Sequence, residues 1–296
     1  MKLSLLFPAW FQEFGAYKHA AKKVSTFPPL NLCIVAAVAE EAGWEVQLID
    51  AHIEALDNRS VADRVAAFKP DLIGLTCTTP FFGVSMELAR MLKERLDTPI
   101  MIGGTHVSVC REKAFEDCFD YLFIGECETA LPEFLRRFAG GDRFPDTPGL
   151  MTRRNGEIRY SGDAPLLTDL DKAPLPARHL LPNEKYFMGT LKGRKRYTSL
   201  QTSRGCPFSC VFCACELHGK RFRQRSVGNV MEELELVIKS YGAEHIYFID
   251  DTITLKRQFL LDLCDEIEKR NLKFTFEGST RANLWDEALV RRLKEC

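Results

Sequence analysis

Through the first 140 positions, short apolar runs rich in β-branched residues alternate with longer stretches in which apolar residues return at helical spacing. The short runs fall near residues 2–7, 45–49, 71–76, 98–102 and 120–124 and predict strands. The longer stretches predict helices over about 30–43, 60–68, 83–95, 110–118 and 128–138, with Leu88, Met91, Leu92 and Leu96 showing the spacing. A repeated strand-helix unit with right-handed crossovers gives a parallel sheet covered on both faces. The expected class is therefore α/β, opening with a flavodoxin-like (Rossmann-type) parallel sheet domain over 1–140.

Between 141 and 195 the alternation stops and proline and glycine rise (Pro145, Pro148, Gly149, Pro165, Pro174, Pro176, Pro182), which reads as a linker. It can hold a small hairpin, because Gly149 to Thr152 and Ile158 to Tyr160 flank the turn-like Arg154-Asn155-Gly156. From Arg196 the strand-helix pattern resumes over 196–296, with strands near 197–202, 244–249 and 273–278 and helices near 227–241 and 256–270. Another helix starts at about Asp286, and the sequence stops within it at Cys296. A third parallel strand with an uncovered edge makes a poor complete domain, so the expectation is a truncated chain.

Composition narrows the function classes. The 296 residues are 46 % apolar and 27 % charged, which is globular, and the formal net charge of -1 lacks the basic balance of a nucleic-acid binder. A small-molecule or single-protein substrate is favoured. No apolar run approaches the roughly 20 residues of a membrane span, and MKLSLLFPAW reads as a first strand rather than a signal, so a cytoplasmic location is expected. Eleven cysteines, an odd number scattered along the chain, argue for metal ligation over a disulfide framework. Cys33, Cys77 and Cys264 lie in apolar segments and read as small buried hydrophobes.

In an open α/β sheet, ligands bind beyond the carboxyl ends of the strands. There the first domain carries a long loop, Pro8 to Pro29, and then Thr76-Cys77-Thr78-Thr79-Pro80, Gly103-Gly104-Thr105-His106 and Gly125-Glu126-Cys127-Glu128. Small hydroxyls and glycines let a ligand approach the backbone. Gly103-Gly104 alone can be a tight turn and His106 a packed side chain; the set at one edge points to a ligand. The second domain carries Cys206-Pro207-Phe208-Ser209-Cys210-Val211-Phe212-Cys213 directly after its first strand. Three thiolates on one loop leave one iron of a four-iron cluster open, where an electron-transfer cluster closes with four. A zinc site completed by His218 is the rival, although zinc cysteines usually come as two pairs; Cys215, two residues beyond Cys213, is badly placed for the same cluster.

The segment Thr202-Ser203-Arg204-Gly205-Cys206 through Cys213 resembles the cluster loop of the radical S-adenosylmethionine superfamily, and the domain before it resembles the cobalamin-binding module that many members carry. The resemblance spans nearly the whole chain. It implies a partial (β/α)6 TIM-like barrel in which Cys206, Cys210 and Cys213 hold a 4Fe-4S cluster. The open iron would bind S-adenosylmethionine, and an electron from a reductant such as flavodoxin or ferredoxin would break its C-S bond to give methionine and a 5'-deoxyadenosyl radical. By position, Phe212 matches the residue beside the adenine. Asp250 and Asp251 match the strand end that meets the methionine amino group, though with Thr252 they also read as a helix cap. Glu277, Ser279 and Arg281 match a polar strand end facing the cofactor, where Arg281 can pair with the methionine carboxylate or serve as a structural ion-pair partner.

For cobalamin the resemblance implies Thr76, Thr78, Thr79, Gly103, Gly104, His106, Gly125, Glu126 and Glu128. A familiar mode of cobalamin binding uses the histidine of Asp-x-His-x2-Gly after the first strand. His19 lacks that setting; Asp50-Ala51-His52 follows the second strand, with Ala55 where glycine is required. No histidine on cobalt is expected. The implied function is cobalamin-dependent methyl transfer to an unactivated carbon of a small molecule. The alternatives are a ring-forming enzyme similar to the anaerobic magnesium-porphyrin ester cyclase and, in another class, a cluster- and cobalamin-binding sensor. A tRNA-methylthiolating enzyme is disfavoured, since Cys33, Cys77, Cys110, Cys118 and Cys127 form no tight second cluster loop.

Overall fold

The computed structural model describes residues 1–11, 27–188, 195–213 and 220–296. The chain divides into two compact units, Met1–Leu167 with Ala173–Pro182, and Thr168–Lys172 with Asn183–Cys296. Among the described residues no helix is long and apolar enough to cross a membrane.

In the first unit, β1 (Lys2–Phe7), β2 (Glu45–Asp50), β3 (Leu72–Thr76), β4 (Ile100–Gly103) and β5 (Tyr121–Phe123) run parallel in the order β2-β1-β3-β4-β5. That is the flavodoxin-like order. Leu3 to Leu6 and Leu72 to Thr76 are buried on both faces, which is why these strands read as continuous apolar runs rather than alternating ones. Among the described residues five helices connect or flank them: α1 (Leu30–Glu41), α2 (Asn58–Phe68), α3 (Phe82–Arg95), α4 (Thr105–Cys110) and α5 (Leu131–Ala139). Asp57 starts α2 by accepting from the Ser60 amide at 2.8 Å, and Lys69 ends it in the left-handed region.

Two details differ from the sequence pattern. The helix expected over 110–118 is α4, which begins immediately after Gly104 and gives way at Arg111 (φ 49) to a 3-10 turn over Arg111–Ala114. The apolar spacing that suggested a later helix belongs to Ala114, Phe115, Cys118 and Phe119, which are buried from a turn. Second, the hairpin of β6 (Leu150–Arg154) and β7 (Glu157–Tyr160) joins the first sheet, β6 pairing antiparallel with β5. Asn155 and Gly156, with φ of 53 and 84, form the two-residue turn. The hairpin covers the ladder groups that β5 would otherwise leave open.

The second unit holds β8 (Phe187–Met188), β9 (Lys195–Leu200), β12 (His245–Phe248) and β13 (Thr275–Gly278) in the order β13-β12-β9-β8, parallel except for β8. A two-residue ladder, β10 (Ser203–Arg204) with β11 (Arg223–Gln224), lies between β9 and β12 in sequence. Helices α6 (Val227–Lys239), α7 (Arg257–Lys269) and α8 (Glu287–Glu295) complete three strand-helix units. Leu200, Ile246, Phe248 and Phe276 pack on Val230, Leu234, Leu260, Leu263 and Leu289. By strand alternation and register, Tyr197, His245 and Thr275, then Ser199, Tyr247 and Glu277, occupy the other face, and every one of them carries a polar group.

Candidate functional site

The cluster loop leaves the carboxyl end of β9, the end at which parallel β/α folds build their sites. Its base is fastened three ways. The ladder pairs Ser203 with Gln224 and Arg204 with Arg223, and the Arg225 amide donates to the Thr202 carbonyl at 2.9 Å. The buried Glu233 carboxylate accepts from Arg225, whose guanidinium also donates to the Gln201 carbonyl at 2.8 Å. Finally, Asp250 at the end of β12 accepts from the Thr202 amide at 3.1 Å, the Thr202 hydroxyl at 2.8 Å and the Ser203 hydroxyl. Asp250 is 2 % exposed, and burial pushes its pKa up although these donors oppose the shift.

Beyond Gly205, which turns with φ 79, the thiols spread along the loop. Cys206 is buried, its Sγ 3.5 Å from the Thr252 hydroxyl; Cys210 is half-buried, its Sγ accepting from Arg281 Nη1 at 3.0 Å; Cys213 is exposed. Among the described residues no three His, Cys, Asp or Glu groups close around a single ion. In a 4Fe-4S cluster each cysteine thiolate would bind a different iron, so the three need not converge on one ion. Cys215 and His218 lie outside the described residues.

Around the cysteines the expected cofactor residues divide. Phe212 is 89 % exposed on the cluster loop. Asp251 is exposed, whereas the Asp250 carboxylate is engaged with Thr202 and Ser203 and acts as a latch on the loop. Neither aspartate caps a helix: Thr252 precedes the 3-10 turn Ile253–Leu255 without a side-chain cap. Glu277 is partly exposed, 3.6 Å from His245 Nε2 on the polar face. Burial lowers the His245 pKa and the nearby Glu277 charge opposes that. Ser279 is exposed, and its carbonyl accepts from the Ile253 amide at 3.1 Å. Thr202, Ser203 and Phe208, part of the motif segment, and Thr252, read as part of a cap, enter the site as partners of Asp250, Arg281 and Cys206. The period-two polar row on β9, β12 and β13 was the signal for His245 and Tyr247.

In the first unit, adjacency of β3, β4 and β5 brings the dispersed candidates to one edge, with Thr76 opposite Gly103 in register. Thr76 is buried, its hydroxyl accepting from the Asn31 side chain at 2.6 Å. Thr78 and Thr79 are exposed, and Thr79 Oγ1 lies 3.1 Å from His106 Nδ1. The His106 ring packs on Phe82 at 4.2 Å, and desolvation lowers its pKa. Gly103 ends β4. Gly104 has φ 105, and a Cβ there would stand 2.5 Å from the Cys77 carbonyl oxygen and 2.9 Å from Thr76 Oγ1. Gly125 (φ 77) is exposed over open space, its amide donating to Ser108 at 2.9 Å, and Glu126 and Glu128 follow half-buried. Open backbone and exposed hydroxyls on three neighbouring strand ends suit a large amide-rimmed ligand such as cobalamin.

His52 sits apart. It is 2 % exposed and stacked on Trp10 at 4.0 Å, with Phe81 on the same indole at 5.3 Å. Among the described residues neither ring nitrogen has a hydrogen-bond partner, and burial lowers its pKa to about 4. Ala55, where the histidine motif has glycine, takes φ 56. His19 and most of the Pro8 to Pro29 loop lie outside the described residues.

Two regions of the chain match known families. Residues 20–135 match the B12 binding domain and residues 200–296 the Radical SAM superfamily. The chain is 33 % identical over 282 residues to an uncharacterized methyltransferase of Pyrococcus horikoshii, covering 93 % of this chain and 60 % of that protein. It is 27 % identical over 264 residues to the anaerobic magnesium-protoporphyrin IX monomethyl ester cyclase of Synechocystis sp., covering 86 % and 52 %. The fold matches the cobalamin-dependent S-adenosylmethionine radical enzyme OxsB with a TM-score of 0.76 at 18 % identity, over 99 % of this chain and 41 % of that one. The chain thus spans roughly half the length of proteins it resembles. With both domains matched in this order, the chain belongs to the radical S-adenosylmethionine superfamily, in the group that carries a B12-binding domain in front.

Proposed function

We propose that this chain supplies the cofactor-binding part of a cobalamin-dependent radical enzyme that transfers a methyl group to an unactivated carbon of a small molecule. The observation that carries the reading is the Cys206, Cys210 and Cys213 loop, fastened at the carboxyl end of β9 beside an all-polar strand face. Bound there, a 4Fe-4S cluster and S-adenosylmethionine supply one-electron cleavage of a sulfonium, and cobalamin supplies methyl transfer.

The chain's own residues bind and orient. Cys206, Cys210 and Cys213 hold the cluster; Phe212 offers an exposed ring to the adenine; Asp251, Glu277 and Ser279 offer polar groups to the methionine end. Asp250 and Glu233 fix the loop base. Thr76, Thr78, Thr79, Gly103, Gly104, His106, Gly125, Glu126 and Glu128 would receive cobalamin. A flavodoxin- or ferredoxin-type reductant delivers the electron. The similarity to a methyltransferase favours methyl transfer, and the similarity to a cyclase supports ring formation as the second reading.

The test is anaerobic reconstitution of the full-length protein with iron, sulfide and cobalamin, followed by reduction in the presence of S-adenosylmethionine. 5'-Deoxyadenosine with S-adenosylhomocysteine beside it supports methyl transfer, and 5'-deoxyadenosine alone supports the cyclase. Neither product supports a sensor. Retention of the brown chromophore after Cys206, Cys210 and Cys213 are all changed to Ala would overturn the cluster assignment.

A further inference from the structure

Arg281 lies just past β13, and both of its main contacts are on the cluster loop. Its Nη1 donates to the Cys210 Sγ at 3.0 Å, and its Cζ sits 4.0 Å over the Phe208 ring. Nε lies 3.4 Å from Asn283 Oδ1 on its own segment. Among the described residues no carboxylate pairs with it. A guanidinium can lay its face on an aromatic ring while an edge donates within the guanidinium's own plane; an ammonium has no such fork. The Phe208 contact therefore helps set the direction in which the cationic edge points, and it points at the Cys210 sulfur.

We infer that Arg281 is a positioning residue that donates a charge-assisted hydrogen bond to the Cys210 sulfur and raises the reduction potential of the cluster. The inference rests on the cluster assignment proposed above. Hydrogen bonds to cluster sulfurs and nearby charge are two of the levers that set such potentials. Reduction adds negative charge to the cluster, so a fixed cation bonded to one of its sulfurs stabilises the reduced form more than the oxidised form. The same contact ties the end of β13 to the loop that follows β9, two segments 71 residues apart. A salt bridge to the methionine carboxylate, the role that motif position suggests for Arg281, makes a different prediction: cluster potential without S-adenosylmethionine stays unchanged.

The experiment is a redox titration of the full-length protein, reconstituted anaerobically with iron and sulfide, without S-adenosylmethionine, and followed by the spectroscopic signal of the reduced cluster. Arg281→Gln, Arg281→Lys and Phe208→Leu are compared with wild type at matched iron content. Arg281→Gln is expected to lower the ratio of reduced to oxidised cluster about tenfold at a fixed applied potential. Arg281→Lys should lower it less, because charge is kept and direction lost. Phe208→Leu should shift it in the same sense, because the guanidinium loses the ring that aims it. If Arg281→Gln does not load a cluster, a lowered potential in Arg281→Lys supports the inference and a wild-type potential overturns it. Wild-type potentials in all three variants overturn it, and a loss of S-adenosylmethionine affinity beside them assigns Arg281 to the methionine carboxylate. Failure of the wild type itself to assemble a cluster on Cys206, Cys210 and Cys213 defeats the underlying assignment instead.

Discussion

In the first unit the candidate groups are dealt out one strand end at a time, on β3, β4 and β5, and much of what they offer is backbone. In the second the three cysteines crowd onto a single loop, and its base is held by a pair of buried carboxylates, Asp250 and Glu233. The first arrangement depends on left-handed turns that glycine tolerates, at Gly104 and Gly125. The second depends on polar groups with little water around them, which bind firmly when satisfied and cost a good deal when one partner is removed. Backbone-built and latch-built sites should therefore fail in different ways.

The most damaging test of the latch is Asp250→Ala. It leaves the Thr202 amide and hydroxyl and the Ser203 hydroxyl without their acceptor in a buried setting. The expected loss is about 3–5 kcal/mol in urea unfolding, as for breaking a buried charged network. Iron bound per chain after reconstitution should fall with it, although all three cysteines remain. Full iron loading with unchanged stability would show that the loop needs no latch.

Acid should separate the two units next. The His52 pKa is lowered to about 4 by burial, so its neutral form is the folded one. The unfolded chain takes up a proton near pH 6.5 and the folded chain does not, so stability is complete above about 6.5 and declines as pH falls toward 4, by about 3 kcal/mol in all. Asp250 runs the other way. Its pKa is raised, so its contribution is complete at low pH and declines as pH rises through the carboxylate range. Unfolding of wild type and His52→Phe between pH 4 and 7 checks the first claim, since phenylalanine keeps a ring on Trp10 and cannot titrate. An equal acid slope in both proteins would remove His52 from the account.

How readable each site was in the sequence follows from the same contrast. The parallel order of the first sheet came through because strands covered on both faces are continuous apolar runs, and Leu3 to Leu6 leave little else to conclude. Cys206, Cys210 and Cys213 were legible because their chemistry lies within eight consecutive residues. Asp250 stood out for its charge, but only its hydrogen bonds to Thr202 and Ser203, 48 and 47 positions away, show it fastening the loop. In the sequence Arg281 belongs to a polar strand end, while its partners Cys210 and Phe208 lie across a gap that periodicity does not bridge. The hairpin of β6 and β7 was legible as a hairpin from Asn155-Gly156, yet nothing local says which sheet its edge will pair with.

On the backbone-built side, Gly104→Ala combines a left-handed φ with a Cβ that would stand 2.5 Å from the Cys77 carbonyl oxygen. Neither the turn nor that carbonyl can give way without moving the ends of β3 and β4. The expected cost is about 2 kcal/mol, with cobalamin retention on gel filtration weakened in proportion. Retention at the wild-type level despite that loss would detach this turn from the ligand edge.

Gly125→Ala is the milder counterpart and the finer discriminator. Its φ of 77 is also left-handed, but a Cβ there meets nothing within 4 Å. Only the conformational penalty of an L-residue remains, about 1 kcal/mol, which thermal unfolding resolves as a small drop in midpoint. If the open space above Gly125 belongs to a bound ligand, cobalamin affinity should fall by more than this stability loss accounts for, because the new methyl enters the ligand's volume while leaving the protein's own packing alone. An affinity loss no greater than the stability loss would mean that Gly125 serves the turn and not the ligand, and would confine the edge to the ends of β3 and β4.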